Sequence, residues 1–304
     1  MGSPAAIVFL PFDGHAGRMS SARRVEQLTI MNDAPIGVFD SGVGGLSVLR
    51  EIRALLPSEE LLYVADSAAA PYGDRSEAFI RQRVEVIGDF LTGLGVKMIV
   101  VACNTATAIG VELLRAKHSI PIVAMEPAVK PAAALSRSRI IGVLATSRTL
   151  ASERFARLAD AFGRDARVIL QPCPGFVELV ERGETDSPRA FDLVKQHVSP
   201  LVRQGADTLV LGCTHYPFLL PVIKEVVGPQ VTVLDASLPV ARRVQSILQS
   251  ERLLAEREGP GTEHFWTSGD PQRVAPVIAK LWGRDVEVEP LSPQYSVPAD
   301  TAGG

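Results

Sequence analysis

Three cysteines in 304 residues, odd in number and widely spaced, make no disulfide framework, and their spacing to one another and to the histidines matches no zinc site. Such usage suits a reducing cytoplasm, which is the expected location, and no metal is expected. Long hydrophobic runs are missing too. No stretch reaches the roughly 18 apolar residues of a membrane span. The run from Ala5 to Leu10 lacks a basic stretch before it and meets Pro11 and Asp13, so it does not read as an export signal. Charge of one sign is also absent: 31 basic against 34 acidic side chains leave a net charge of −3, which gives no field for general nucleic-acid binding. Neither a Walker loop nor the dinucleotide glycine spacing occurs. These absences leave a globular protein with a small-molecule partner, no nucleic acid and no membrane.

What the chain does have is an apolar run that stops on a thiol. Residues 99–102 suit a strand buried on both faces, and residues 105–117 have the composition of a following helix. Cys103 therefore falls at the carboxyl end of a parallel strand, the edge where open α/β sheets bind ligands. The construction recurs 110 positions later as Leu209-Val-Leu-Gly-Cys213-Thr-His-Tyr-Pro217. Gly95 and Gly205 each precede a cysteine by eight residues, and Ile36-Gly37-Val38 is matched by Ile141-Gly142-Val143. The pattern predicts an α/β protein of two similar, doubly wound domains with mainly parallel sheets. A pseudo-two-fold relation would bring matching strand ends, and one thiol from each, to opposite sides of a cleft.

Along the chain, residues 1–33 are expected to be an extension outside the core. Residues 34–127 with 237–290 would form the first domain and residues 128–236 the second, with a loose tail from 291 to 304. Asp40-Ser41-Gly42-Val43-Gly44-Gly45 is a turn between strand and helix, and Pro71-Tyr72-Gly73 lies in a loop at the same sheet edge. Pro127 and Pro131 bracket a crossing between the halves. Thr146 and Thr149 follow the second half's first strand, where their hydroxyls either cap a helix or meet a polar substrate. Cys173, with no acid or base beside it, reads as a packed hydrophobe. A last strand pair is expected over 263–267 and 285–289.

Two thiols across a cleft, with Asp40 near one and His215 two residues from the other, permit one particular reaction. One sulfur removes a proton from a carbon while the other delivers a proton to the opposite face. The product is the mirror image. Room for one carbon puts the sulfurs about 7 to 8 Å apart in a ligand-bound state, two reach distances of about 3.5 Å. Two rivals stay open on the residues alone. A Cys-His hydrolase or acyl transferase would use one cysteine as nucleophile and His215 as base, and a two-domain clamp would bind an amino acid without any thiol.

Asp40-Ser41-Gly-Val-Gly-Gly45, Pro71-Tyr-Gly73, Cys103-Asn-Thr-Ala106 and Gly212-Cys-Thr-His-Tyr-Pro217, in that order and spacing, resemble the glutamate racemase family over roughly residues 34–290. The resemblance implies a cofactor-independent racemase that supplies D-glutamate for bacterial peptidoglycan, with its active site between two α/β domains. It implies that Cys103 acts on the α-proton of the D enantiomer and Cys213 on that of the L enantiomer. Asp40 would tune the first thiol, and His215 the second with Glu181 as its partner. Around the substrate it places Asp40, Ser41, Tyr72, Gly73, Asn104, Thr105, Thr214 and His215, with Thr146 and Thr149 toward the side-chain carboxylate. The family often dimerises, which puts a homodimer among the expected partners. Aspartate racemases of the wider superfamily use a similar pair of thiols, so a related amino acid is the alternative substrate.

Overall fold

The protein is described by a computed structural model covering residues 32–162 and 166–297. In the first half, β1 (Ile36–Asp40) leads into α1 (Leu46–Leu55), and β2 (Leu61–Ala65) is followed by α2 (Glu77–Gly93). Next come β3 (Met98–Val101), α3 (Asn104–Lys117) and β4 (Ile122–Ala124). Every residue of β1, β2 and β3 is buried. That is why their sequences run apolar without alternation, since helices cover both faces of a parallel sheet.

The second half repeats the scheme. After α4 (Val129–Leu135) come β5 (Ile140–Ala145), α5 (Ser147–Leu150), α6 (Glu153–Phe162) and β6 (Arg167–Pro172). Then α7 (Phe176–Glu181) and α8 (Pro188–Arg203) precede β7 (Thr208–Leu211), α9 (Leu220–Val227) and β8 (Thr232–Leu234). Finally α10 (Ser237–Ser250) packs on α1, and β9 (Glu263–Thr267), α11 (Pro271–Trp282) and β10 (Val288–Pro290) rejoin the first sheet.

All pairings in the two sheets are parallel, with orders β10-β9-β2-β1-β3-β4 and β6-β5-β7-β8. The second order reproduces the last four strands of the first, with β5 standing where β1 stands and β7 where β3 stands. The helices before the two cysteine strands are built alike. The Ser76 hydroxyl oxygen accepts from the Phe79 amide at the start of α2, and that of Ser187 accepts from the Ala190 amide at the start of α8. Both helices end just before a glycine in left-handed conformation, Gly95 at φ +76° and Gly205 at φ +90°. This is the physical content of the eight-residue spacing noted in the sequence.

One hydrophobic core runs through both halves, joining Val43, Leu46 and Leu49 to Phe176, Tyr216 and Leu219. Both tryptophans belong to the six-stranded side: Trp266 in β9 meets Phe90 edge-on, and Trp282 closing α11 meets Phe265. Gly283, at φ +94°, ends α11, and residues 284–287 bring the chain back, so β10 begins at Val288 rather than at 285. Where a loose tail is expected from 291, Leu291 is buried and Tyr295 packs edge-on against Phe90. Of the expected extension, residues 1–31 lie outside the described residues; the Asn32 side chain donates to Glu256 at 2.9 Å. Among the described residues no helix is long and apolar enough to cross a membrane.

Candidate active site

Each sheet reverses strand order between its first strand and its cysteine strand, and at such a switch point the loops leaving the carboxyl ends diverge and open a crevice. In the six-stranded sheet those loops carry Asp40, Ser41 and Cys103; in the four-stranded sheet they carry Thr146 and Cys213. The two crevices face each other. A narrow cavity between them is lined by Ser41, Tyr72, Gly73, Cys103, Asn104 and Thr105 from one side and by Thr146, Val177, Cys213, Thr214 and His215 from the other.

Cys103 is the residue preceding α3. Its sulfur accepts from the Ala106 amide at 3.4 Å and donates to the Ser41 hydroxyl at 3.7 Å. That hydroxyl in turn donates to Asp40 Oδ1 at 3.2 Å. The Ser41 amide also donates to Oδ1, at 2.6 Å, and the Thr214 hydroxyl donates to Oδ2 at 3.1 Å, so Asp40 is held from both halves. Burial raises the Asp40 carboxyl above its ordinary value, with His215 pulling the other way. Burial, and then the charge of Asp40, push the Cys103 thiol well up.

Cys213 follows Gly212 at the end of β7, with its sulfur 3.7 Å from Nδ1 of His215. Nε2 of His215 lies 2.7 Å from Glu181 Oε1, at the end of α7, and that oxygen also accepts from the Val43 amide at 2.7 Å. Burial opposes charge on the imidazole. Hydrogen bonds to Cys213 and Glu181, together with attraction to Cys213 and Asp40, outweigh it and hold His215 well above its ordinary value. The glycine-rich turn explains how this pair fits. A Cβ on Gly42 would lie 1.8 Å from Glu181 Oε1, and one on Gly44 would lie 2.2 Å from His215 Nδ1. The turn is bare because the other half's acid and base occupy the space where side chains would stand.

The Thr105 hydroxyl bonds those of Thr146 and Thr149 across the cleft at 3.1 and 3.0 Å, and Thr146 donates to Thr149 at 3.0 Å within the second half. The side-chain oxygen of Asn104 is buried with no partner, an acceptor left for a ligand's donor. The Tyr72 phenol does not turn to the cavity for a partner; it donates to Asp66 at 2.6 Å. Cys173 is buried in the core, its thiol donating to the Gln171 carbonyl at 3.4 Å. Sequence reasoning passed over Val177, an ordinary helix valine with no distinguishing signal. It also passed over Ser47, whose hydroxyl donates to the Thr214 carbonyl at 3.0 Å, and Tyr63, whose phenol donates to the Gly42 carbonyl at 2.6 Å. A tyrosine inside a fully buried strand needs a partner for its hydroxyl, and that was the available hint.

Two crevices of a duplicated parallel fold, closing one cavity around two cysteines, define a class. The chain matches the Asp/Glu/Hydantoin racemase family over residues 36–242 and belongs to it. Glutamate racemases are among its relatives there. That of Stutzerimonas stutzeri is 52% identical over 257 residues, 84% of this chain and 97% of the relative. The crystal structure of a glutamate racemase isoform from Bacillus anthracis superposes with a TM-score of 0.79 at 32% identity, covering 86% of this chain and 99% of that one. The Escherichia coli glutamate racemase, solved with L-glutamate and the activator UDP-MurNAc-Ala, gives 0.74 at 32% identity, covering 84% of this chain and 97% of that one.

Proposed function

We propose that the protein interconverts L-glutamate and D-glutamate through its two thiols, without a cofactor. The observation that carries this is that Cys103 and Cys213 line one cavity, each delivered by the same strand end of a different half. The thiolate of one cysteine takes the α-proton from one face, and the thiol of the other gives its proton to the opposite face. The pair ends with its protonation reversed, ready for the other enantiomer. Cys103 works on the D enantiomer through Ser41 and Asp40; Cys213 works on the L enantiomer through His215 and Glu181. The unpartnered Asn104 oxygen suits the substrate ammonium, and the three threonine hydroxyls with the amides of the Tyr72-Gly73 loop suit its carboxylates. A closed, dry site strengthens those contacts as charge develops on the α-carbon.

Incubation of the purified protein with L-glutamate in D2O, with no cofactor added, is expected to take the optical rotation to zero with deuterium entering the α-position. Retention of rotation and of α-hydrogen would refute the reading. Cys103→Ser and Cys213→Ser, made separately, are each expected to abolish inversion. A variant that keeps its activity, or a thioester trapped on one cysteine, would favour the hydrolase chemistry instead. Faster turnover of aspartate than of glutamate would move the substrate to the related amino acid. We place the product in the cytoplasm as D-glutamate for peptidoglycan. The activator named with the Escherichia coli relative supports this, since it carries the muramic acid of that polymer. A homodimer is the proposed assembly, to be read by light scattering.

A further inference from the structure

The Pro71-Tyr72-Gly73 loop stands between the cavity and a neighbouring depression, since Pro71 and Gly73 line both. Across the cleft it meets the second half so closely that a Cβ on Gly73 would lie 3.0 Å from the Cβ of Thr146. A short loop in that position needs a fixed backing, and it has one. The Tyr72 phenol donates to Asp66 Oδ2 at 2.6 Å. Arg83, on α2, holds the same carboxylate with both arms of its guanidinium, Nε to Oδ2 at 2.9 Å and Nη2 to Oδ1 at 2.8 Å. The two charged side chains are all but completely buried. Two further donors of Arg83 go to backbone carbonyls near the carboxyl end, Nη2 to Tyr295 at 2.8 Å and Nη1 to Ser296 at 3.2 Å. That segment is itself anchored, by Leu291 in the core and by the Tyr295 ring against Phe90. The Asp66 amide donates to the carbonyl of Asp40, so the network also abuts the strand end carrying the site's own carboxylate.

We infer that Asp66 and Arg83 are positioning residues for the substrate loop, and that through them the segment 291–297 sets where Tyr72 and Gly73 meet the substrate. Neither side chain lines the cavity, so any effect on turnover passes through the loop. The inference rests on the glutamate reading. It makes the loop a rigid wall whose place is fixed from behind by a buried, bidentate ion pair, the geometry in which arginine cannot be replaced by lysine without losing a bond.

The test compares KM and kcat for both enantiomers in the full chain carrying Tyr72→Phe, Arg83→Lys, or both. Glu59→Gln serves as a control for stability alone. It breaks the buried pair between Glu59 and Lys97, 2.6 Å apart at the amino ends of the strands, away from the site. Each single variant is expected to raise KM about tenfold, the loss of one hydrogen bond to a charged group, with kcat changed less. The double variant is expected to be no worse than the worse single one, because both act along one chain of contacts. Glu59→Gln is expected to lower the melting temperature and leave KM alone. A KM within about twofold of the unmodified protein in Tyr72→Phe would overturn the inference. So would multiplying effects in the double variant, or an equal rise in KM for the control. If Arg83→Lys does not fold, Tyr295→Ala, which loosens the segment behind Arg83 without touching the cavity, takes its place beside Tyr72→Phe and the control. Wild-type KM in a folded Arg83→Lys beside a raised one in Tyr72→Phe would mean that the phenol binds substrate directly, and would also overturn it. Inactivity of the unmodified chain on glutamate would fail the functional reading instead, and is seen before any variant is made.

Discussion

At Gly42 and Gly44 a single methyl group would collide with Glu181 and His215, the partners of the proposed proton-transfer group Cys213. Gly44→Ala is expected to displace His215 and lower kcat/KM about 100-fold with the fold intact by circular dichroism, since a shift near 1 Å at a reacting group costs about that much. His215 makes a second prediction at this scale. Its value in the fold lies well above the ordinary 6.5, so it binds a proton more tightly folded than unfolded. It therefore adds stability that is full below 6.5 and is withdrawn as pH rises through the folded value. Glu181→Gln removes a cause of the shift, and the alkaline fall of both melting temperature and kcat/KM is expected to move to lower pH. Profiles unchanged by the substitution would deny Glu181 that part. At the residue scale the sequence was uneven. Cys213 and His215 were legible because they sit two apart after a buried strand. Glu181, 34 positions from His215, was reached only through a resemblance, and the pairing of Asp66 with Arg83 not at all, since nothing local marks two charges that neutralise each other across a loop.

Among the elements, the strands that end at the site were the most readable, because burial on both faces demands apolar runs that no surface helix would show. The duplicated strand order is what converts those runs into a cavity. Edge elements were less readable: β10 and the segment after it are short, and their place is decided by contacts with Phe265, Phe90 and Arg83 rather than by their own composition. One element junction has a measurable charge. Asp207, just before β7, accepts from the Ser136 hydroxyl at 2.6 Å, from the Arg137 and Ser138 amides at 2.8 and 2.7 Å, and from the Thr208 hydroxyl at 3.0 Å. Partial burial opposes its charge, but these bonds prevail and bring its carboxyl down from 3.8 to about 2. The contribution is present above 3.8 and is lost as pH falls toward 2. Protection of the β5 and β7 amides, relative to their intrinsic exchange rates, is expected to fall over that range in the unmodified protein, and to be low throughout it in Asp207→Asn.

For the molecule as a whole, the site exists only while the halves are together. The bonds from Thr105 to Thr146 and Thr149 tie the two sides of the cleft together. Thr105→Val keeps the shape and removes the hydroxyl. It is expected to raise KM about threefold to tenfold while leaving the melting temperature within a few degrees; an unchanged KM would mean that these bonds have no part in admitting substrate. The shared core from Val43 to Tyr216 joins the halves behind the cleft. The siting of Trp266 and Trp282 has a practical side. Indole emission is a lopsided thermometer here, since both reporters sit beside the six-stranded layer and neither within the four-stranded one.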